Sequence, residues 1–159
     1  MVANDLPHPM PPRPYIWRLL TLLWAVVIFL LSAKDFSGTV SRSLMARCFD
    51  FLGISLPSDL LDPLHLAMRK LAHLFEYTVF GFLLYRSLHE QDHPAWQSGS
   101  AAWALAIAAA YSLTDELHQA SVPGRTASLM DCAIDSSGTL LALLLIYGFS
   151  LRSRRTAHH

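Results

Sequence analysis

Four apolar segments decide what this chain can fold into: residues 15–32, 71–88, 101–119 and 129–151. Each is close to the roughly 20 residues a helix needs to cross the hydrocarbon core of a bilayer. Lipid offers no partner to backbone N–H and C=O groups, so each segment must satisfy them internally, which selects helices over open strands. Composition agrees, with 53% hydrophobic and 15% charged residues, where soluble domains carry about 25% charged. A length of 159 residues fits a single domain over 1–159. The fold class expected is all-α: a polytopic membrane protein with four transmembrane helices in an up-down bundle.

The flanks and connections are distinct in kind. Residues 1–14 form a Pro-rich tail. The apolar run of 15–32 exceeds the usual signal-peptide core of 7–15 residues, and "LLSAKD" is a poor cleavage site, so the helix is expected to be retained. In the long first connection, Val40, Leu44, Phe51 and Leu52 fit the apolar side of a helix lying on the membrane surface. An irregular loop over 33–70 fits equally well. Residues 89–100 read as a polar turn, and Pro123-Gly124 breaks the tighter turn over 120–128. Residues 152–159 are a basic tail. The zero net charge gives no basic surface for nucleic acid. Cys48 and Cys132 lack the spacing of a zinc or redox site.

The stretch "SLTDELHQASVPGR" then stands out. It follows the charge-free run "AAWALAIAAAY" and packs Asp115, Glu116, His118, Gln119 and Arg125 into a short span. Alternating crossings bring the start of the second segment, the end of the third and the start of the fourth to one membrane face. His73 and Glu76, then Asp115 to Gln119, then Asp131 and Asp135 therefore share a level. Residues three or four apart lie on one helix face. Lys70, His73, Glu76 and Tyr77 make one stripe, Asp115, His118 and Gln119 a second, and Asp131, Asp135 and Gly138 a third. Ionisable groups in membrane segments are costly and turn toward the bundle interior.

The blocks "RKLAHLFEYTVFGFLLY" and "AYSLTDELHQASVPGRTASLMDCAIDSSGTLLA" resemble the signature blocks of VanZ-like membrane proteins. The matching residues are Lys70, His73, Glu76 and Tyr77, then Asp115, Glu116, His118, Gln119, Gly124 and Arg125, then Asp131 and Gly138. Asp135 stands where the family more often has Asn. The resemblance covers about half the chain, 69–145. It implies a small polytopic protein of the bacterial cytoplasmic membrane with a cell-envelope role. The family takes its name from a protein associated with reduced susceptibility to teicoplanin, which implies no particular reaction.

The residues admit several chemistries. Arg125, Lys70 and helix-start amides suit a phosphate or pyrophosphate. His73, Glu76, Asp115, Glu116 and His118 are the candidate acid–base groups, and Lys70, Tyr77, Gln119, Arg125, Asp131 and Asp135 the candidate ligand-binding groups. Each has a plainer reading: His73 with Glu76 as an intrahelical pair, Asp115 and Glu116 as ties that pin helix ends, Asp131 as a first-turn acid, Lys70 as a bilayer-edge anchor, and Gly138 as a packing notch. A metal held by His73-x-x-Glu76 and Asp115-x-x-His118 would compete with Lys70 and Arg125 for the carboxylates, and neither a metal nor a cofactor is expected. The expected partners are membrane lipids or a lipid-linked envelope precursor. An enzyme acting on a lipid phosphate or pyrophosphate is the main alternative, a small transporter the next. Arg152, Arg154 and Arg155 directly follow the last segment, so the termini are expected in the cytoplasm and the polar face outside.

Overall fold

The boundaries of the helices follow local chemistry, as a computed structural model of the chain shows for residues 14–32, 38–54, 57–89, 95–120 and 128–156. The elements are α1 (Pro14–Ser32), α2 (Gly38–Phe51), α3 (Ser58–Leu88), α4 (Ser98–Ala120) and α5 (Leu129–Thr156). Among the described residues there is no strand.

The first connection contains a helix, α2, in place of an irregular loop throughout. α2 ends in a Schellman motif: Ile54 N–H donates to the Phe49 carbonyl at 2.9 Å and Gly53 N–H to that of Asp50 at 3.0 Å. This closure needs a left-handed residue, and Gly53 supplies it at φ 73°. Leu44, Phe51 and Leu52 project outward, Phe51 with 90% of its surface exposed. The side chain of Val40 lies outside the described residues.

The second apolar segment begins earlier than expected. α3 starts at Ser58, not Leu71, after Pro57 in an extended conformation (φ −59°, ψ 147°). Asp59 in the first turn complements the helix dipole. Pro63 lies within α3 and removes one ladder bond without ending the helix. His73 and Glu76 therefore sit several turns inside α3. The expected contribution of a positive dipole end from this helix falls away, because that effect is confined to the first turn. α5 continues to Thr156, so part of the basic tail is helical.

α3 is the central helix and packs along α5, α1 and α4, with α2 resting against it. Ser32 at the end of α1 meets Asp115 near the end of α4, and Ser112 of α4 meets Asp135 near the start of α5. At the other end, Gln97 before α4 donates its N–H to the Tyr85 hydroxyl of α3 at 3.1 Å. Trp24 of α1 donates to the Glu76 carbonyl at 2.9 Å, and Tyr111 of α4 to that of Ala25 at 2.7 Å.

Two glycines set the approach of α3 and α5. A Cβ on Gly138 would overlap the Leu74 carbonyl and lie 3.1 Å from the Thr78 nitrogen. A Cβ on Gly81 would lie 2.8 Å from Thr139 Cγ2 and 2.9 Å from its Cα. Gly138 is thus the packing notch foreseen in the sequence. The core around these notches holds Ile28, Tyr77, Phe80, Leu84, Ala104, Ala108 and Leu143.

The bundle buries carboxylates at one end while leaving much apolar surface exposed. Asp115, Glu116 and Asp135 are 3%, 2% and 1% exposed, while Leu22, Leu30, Leu144 and Phe149 are each more than half exposed. Tyr15–Ser32 and Leu129–Arg154 are long and apolar enough to cross a membrane. Among the described residues these are the two helices that meet that measure, so the expectation of four crossings is met for α1 and α5 alone; α3 carries Lys70, His73, Glu76 and Arg86, and α4 ends in Asp115 and Glu116.

Candidate functional site

The polar residues of three helices converge at one end of the bundle, and they divide into three groups. In the first, Ser112 donates its hydroxyl to Asp135 Oδ2 at 2.6 Å. The other oxygen, Asp135 Oδ1, lies 3.5 Å from His73 Nδ1, which also lies 4.0 Å from Glu76 Oε2. A hydroxyl, a carboxylate and an imidazole thus form a chain from α4 through α5 to α3. Asp135 Oδ1 and His73 Nδ1 are buried without a hydrogen bond of ordinary length and angle, and so is the Tyr77 hydroxyl. Buried polar atoms left in this state mark a place where a proton position, a water or a ligand completes the network.

In the second group, Ser32 donates to Asp115 Oδ2 at 2.8 Å. One turn further along α4, the His118 ring packs on Phe29 of α1, with centroids 4.8 Å apart. The stripe of Asp115 and His118 is real, but it faces α1.

The third group joins the end of α4 to the start of α5. Glu116 Oε2 accepts from the Ser128 N–H at 2.7 Å. Ser128 in turn caps α5, its Oγ accepting from the Asp131 N–H at 3.3 Å. Glu116 here ties the end of α4 to the start of α5 through Ser128.

Beside the first group, and sharing His73 with it, lies a small crevice of about 40 Å³, lined by Leu66, Arg69, Lys70, His73, Asp131 and Ile134. A water needs roughly 10–15 Å³ on this measure, so the crevice admits a few waters or a group of similar bulk. Two cationic side chains and one imidazole border it, with Asp131 opposite. Lys70, His73 and Asp131 were expected at the site. Arg125 and Gly124 lie outside the described residues, as does the side chain of Gln119. Among the described residues no group of three or more His, Cys, Asp or Glu is arranged to hold a metal ion.

Sequence reasoning passed over Ser32, Ser112, Ser128 and Arg69 as site residues. Three of them had a legible signal. Ser112 is one turn before Asp115, and Arg69 is one turn before His73. Ser128-x-x-Asp131 is a capping pattern. Ser32 had none, since its partner lies 83 residues away.

The fold and site together define a class: an all-helical protein, apolar outside, with charged residues buried at one end between helices. Within that class the chain belongs to the VanZ/LLP1 family, whose sequence model matches residues 17–151. No curated protein and no solved structure matches the chain.

Proposed function

We propose that this is a VanZ-like protein of the bacterial cytoplasmic membrane that binds the anionic head group of an envelope lipid or lipid-linked precursor. On this reading α1, α3, α4 and α5 all cross the bilayer, and α2 lies on its surface. The observation that carries the reading is the crevice between Arg69, Lys70 and His73, set at the end of a bundle that is apolar outside. Its depth supports a lipid ligand. A crossing of about 20 residues ending at Leu88 starts near Arg69, so the crevice falls where hydrocarbon gives way to head groups. The part of α3 before it, together with α2, then stands in the head-group layer. The exposed Phe51, Leu52, Leu60 and Leu64 suit that layer.

Arg152 and Arg154 at the end of α5 favour cytoplasmic termini and an outward-facing crevice. An outward site that holds envelope lipid would also fit the family's association with reduced susceptibility to teicoplanin. The test is lipid retention. The full chain in nanodiscs containing phosphatidic acid and phosphatidylcholine should hold the phosphomonoester lipid, as read by native mass spectrometry. Lys70→Ala should weaken retention about ten- to a hundredfold, the value of one charged hydrogen bond of about 1.5–3 kcal/mol. Equal retention of both lipids, or no effect of Lys70→Ala, would remove the head-group reading.

A further inference from the structure

We propose that the crevice is a hydrolytic site that releases the terminal phosphate of a membrane lipid, with His73 as the general base. This rests on the head-group reading and adds a reaction to it. Four features of the geometry lead there. First, His73 lines the crevice, and its Nδ1 lies 3.5 Å from Asp135 and 4.0 Å from Glu76. With Nδ1 turned to those carboxylates, Nε2 is the ring nitrogen available to act as base. Second, Asp135 is 1% exposed and fixed from behind by the Ser112 hydroxyl at 2.6 Å. A carboxylate held in this way orients an imidazole and stabilises its protonated form, which is what a general base requires. The 3.5 Å separation is long for a hydrogen bond, as such contacts often are before substrate binds. Third, the notch at Gly138 sets the distance. Gly138 is one turn after Asp135, and its contact with the Leu74 carbonyl seats α5 against α3 beside His73. Fourth, Arg69 and Lys70 border the same small volume. That volume suits a group of about the bulk of a phosphate.

The step is a direct displacement. Nε2 of His73 takes a proton from water as the water oxygen attacks the terminal phosphorus. A new P–O bond forms, and the bond to the bridging oxygen breaks. Its electron pair leaves on the lipid, as a stable phosphate in a diphosphate or, in a monoester, as an alkoxide that takes a proton from water. Arg69 and Lys70 offset the charge gathering on the transferred group. The proton on His73 then passes to solvent. For a diphosphate the sum is water plus lipid diphosphate giving lipid monophosphate and inorganic phosphate. The diphosphate is the better substrate, because its leaving group needs no proton.

The test uses the purified full chain in nanodiscs with either a polyprenyl diphosphate or phosphatidic acid. Inorganic phosphate release is followed alongside lipid retention by native mass spectrometry. The wild type should release phosphate, from the diphosphate faster. His73→Ala and the more conservative His73→Asn should lose about 10²–10⁴ in turnover while still retaining lipid. Added imidazole should restore part of the activity of His73→Ala, a rescue that a purely structural histidine would not show. Wild type that retains lipid but releases no phosphate overturns the hydrolytic proposal and leaves the head-group reading standing. Wild type that does neither overturns both. Release that survives in both His73 variants, or variants that refold normally and yet show no rescue, removes His73 from the role of base.

Discussion

Asp115 and Ser32 show how much one hydroxyl decides at the residue scale. Asp115 is 3% exposed and takes the Ser32 hydroxyl at 2.8 Å. It shares the bundle end with Glu76 and Asp135, so negative charge is crowded there. Asp115→Asn keeps an oxygen to accept from Ser32 and removes one of the crowded charges. Ser32→Ala keeps the charge and removes a donor that stabilises it. Ser32→Ala should therefore lower stability by about 1–3 kcal/mol, while Asp115→Asn should leave the melting temperature in detergent near that of wild type. The reverse order would make the Asp115 carboxylate a structural group whose charge the fold requires. The sequence made Asp115 visible, because two carboxylates end a charge-free run. It could not make Ser32 visible as the partner, because nothing local links residues in different helices.

Between elements, the closest approach is that of α3 and α5 at Gly138. Even the smallest side chain there meets backbone rather than a movable side chain, so the helices themselves must part. Overpacking of this kind costs about 1–3 kcal/mol. Gly148, in the same helix, has nothing within 4 Å of the position a Cβ would take. Gly148→Ala gains helix propensity of up to about 1 kcal/mol. Thermal unfolding in detergent should thus show a clear loss for Gly138→Ala and no loss for Gly148→Ala. Equal effects would mean that the notch does not control the packing. Gly138 was legible as a notch, since it is one turn from Asp135 in an apolar helix. The extent of α3 was not. The long connection over 33–70 was read as a surface helix or a loop, yet α3 begins at Ser58 within it, and Pro63 costs a single hydrogen bond, which the run around "HLAMRKLA" outweighs.

For the whole molecule, the proposed topology places the crevice end outside and both termini inside. A cysteine at Leu52, just after α2, should react in spheroplasts with a membrane-impermeant thiol reagent. A cysteine at Ser153 should react only after lysis. Both belong in a background with Cys48 and Cys132 changed to Ser, since Cys48 is itself exposed. The opposite pattern would reverse the orientation, and labelling of both sites in sealed cells would break the four-crossing arrangement.

What the sequence determined by itself was the material of each helix and the level at which its polar residues fall. Both follow from local periodicity: apolar runs of membrane length, and charges spaced three or four apart near their ends. That was enough to predict that residues from three helices gather at one end. Tertiary structure alone decided which polar group faces which. Asp135 turns to His73 and Ser112, Asp115 turns to Ser32, Glu116 reaches the Ser128 N–H, and His118 packs on Phe29. Those choices depend on the rotation of each helix about its axis and on how closely α3 and α5 approach. Both are set by contacts between side chains far apart in the chain, with Gly81 and Gly138 fixing the distance.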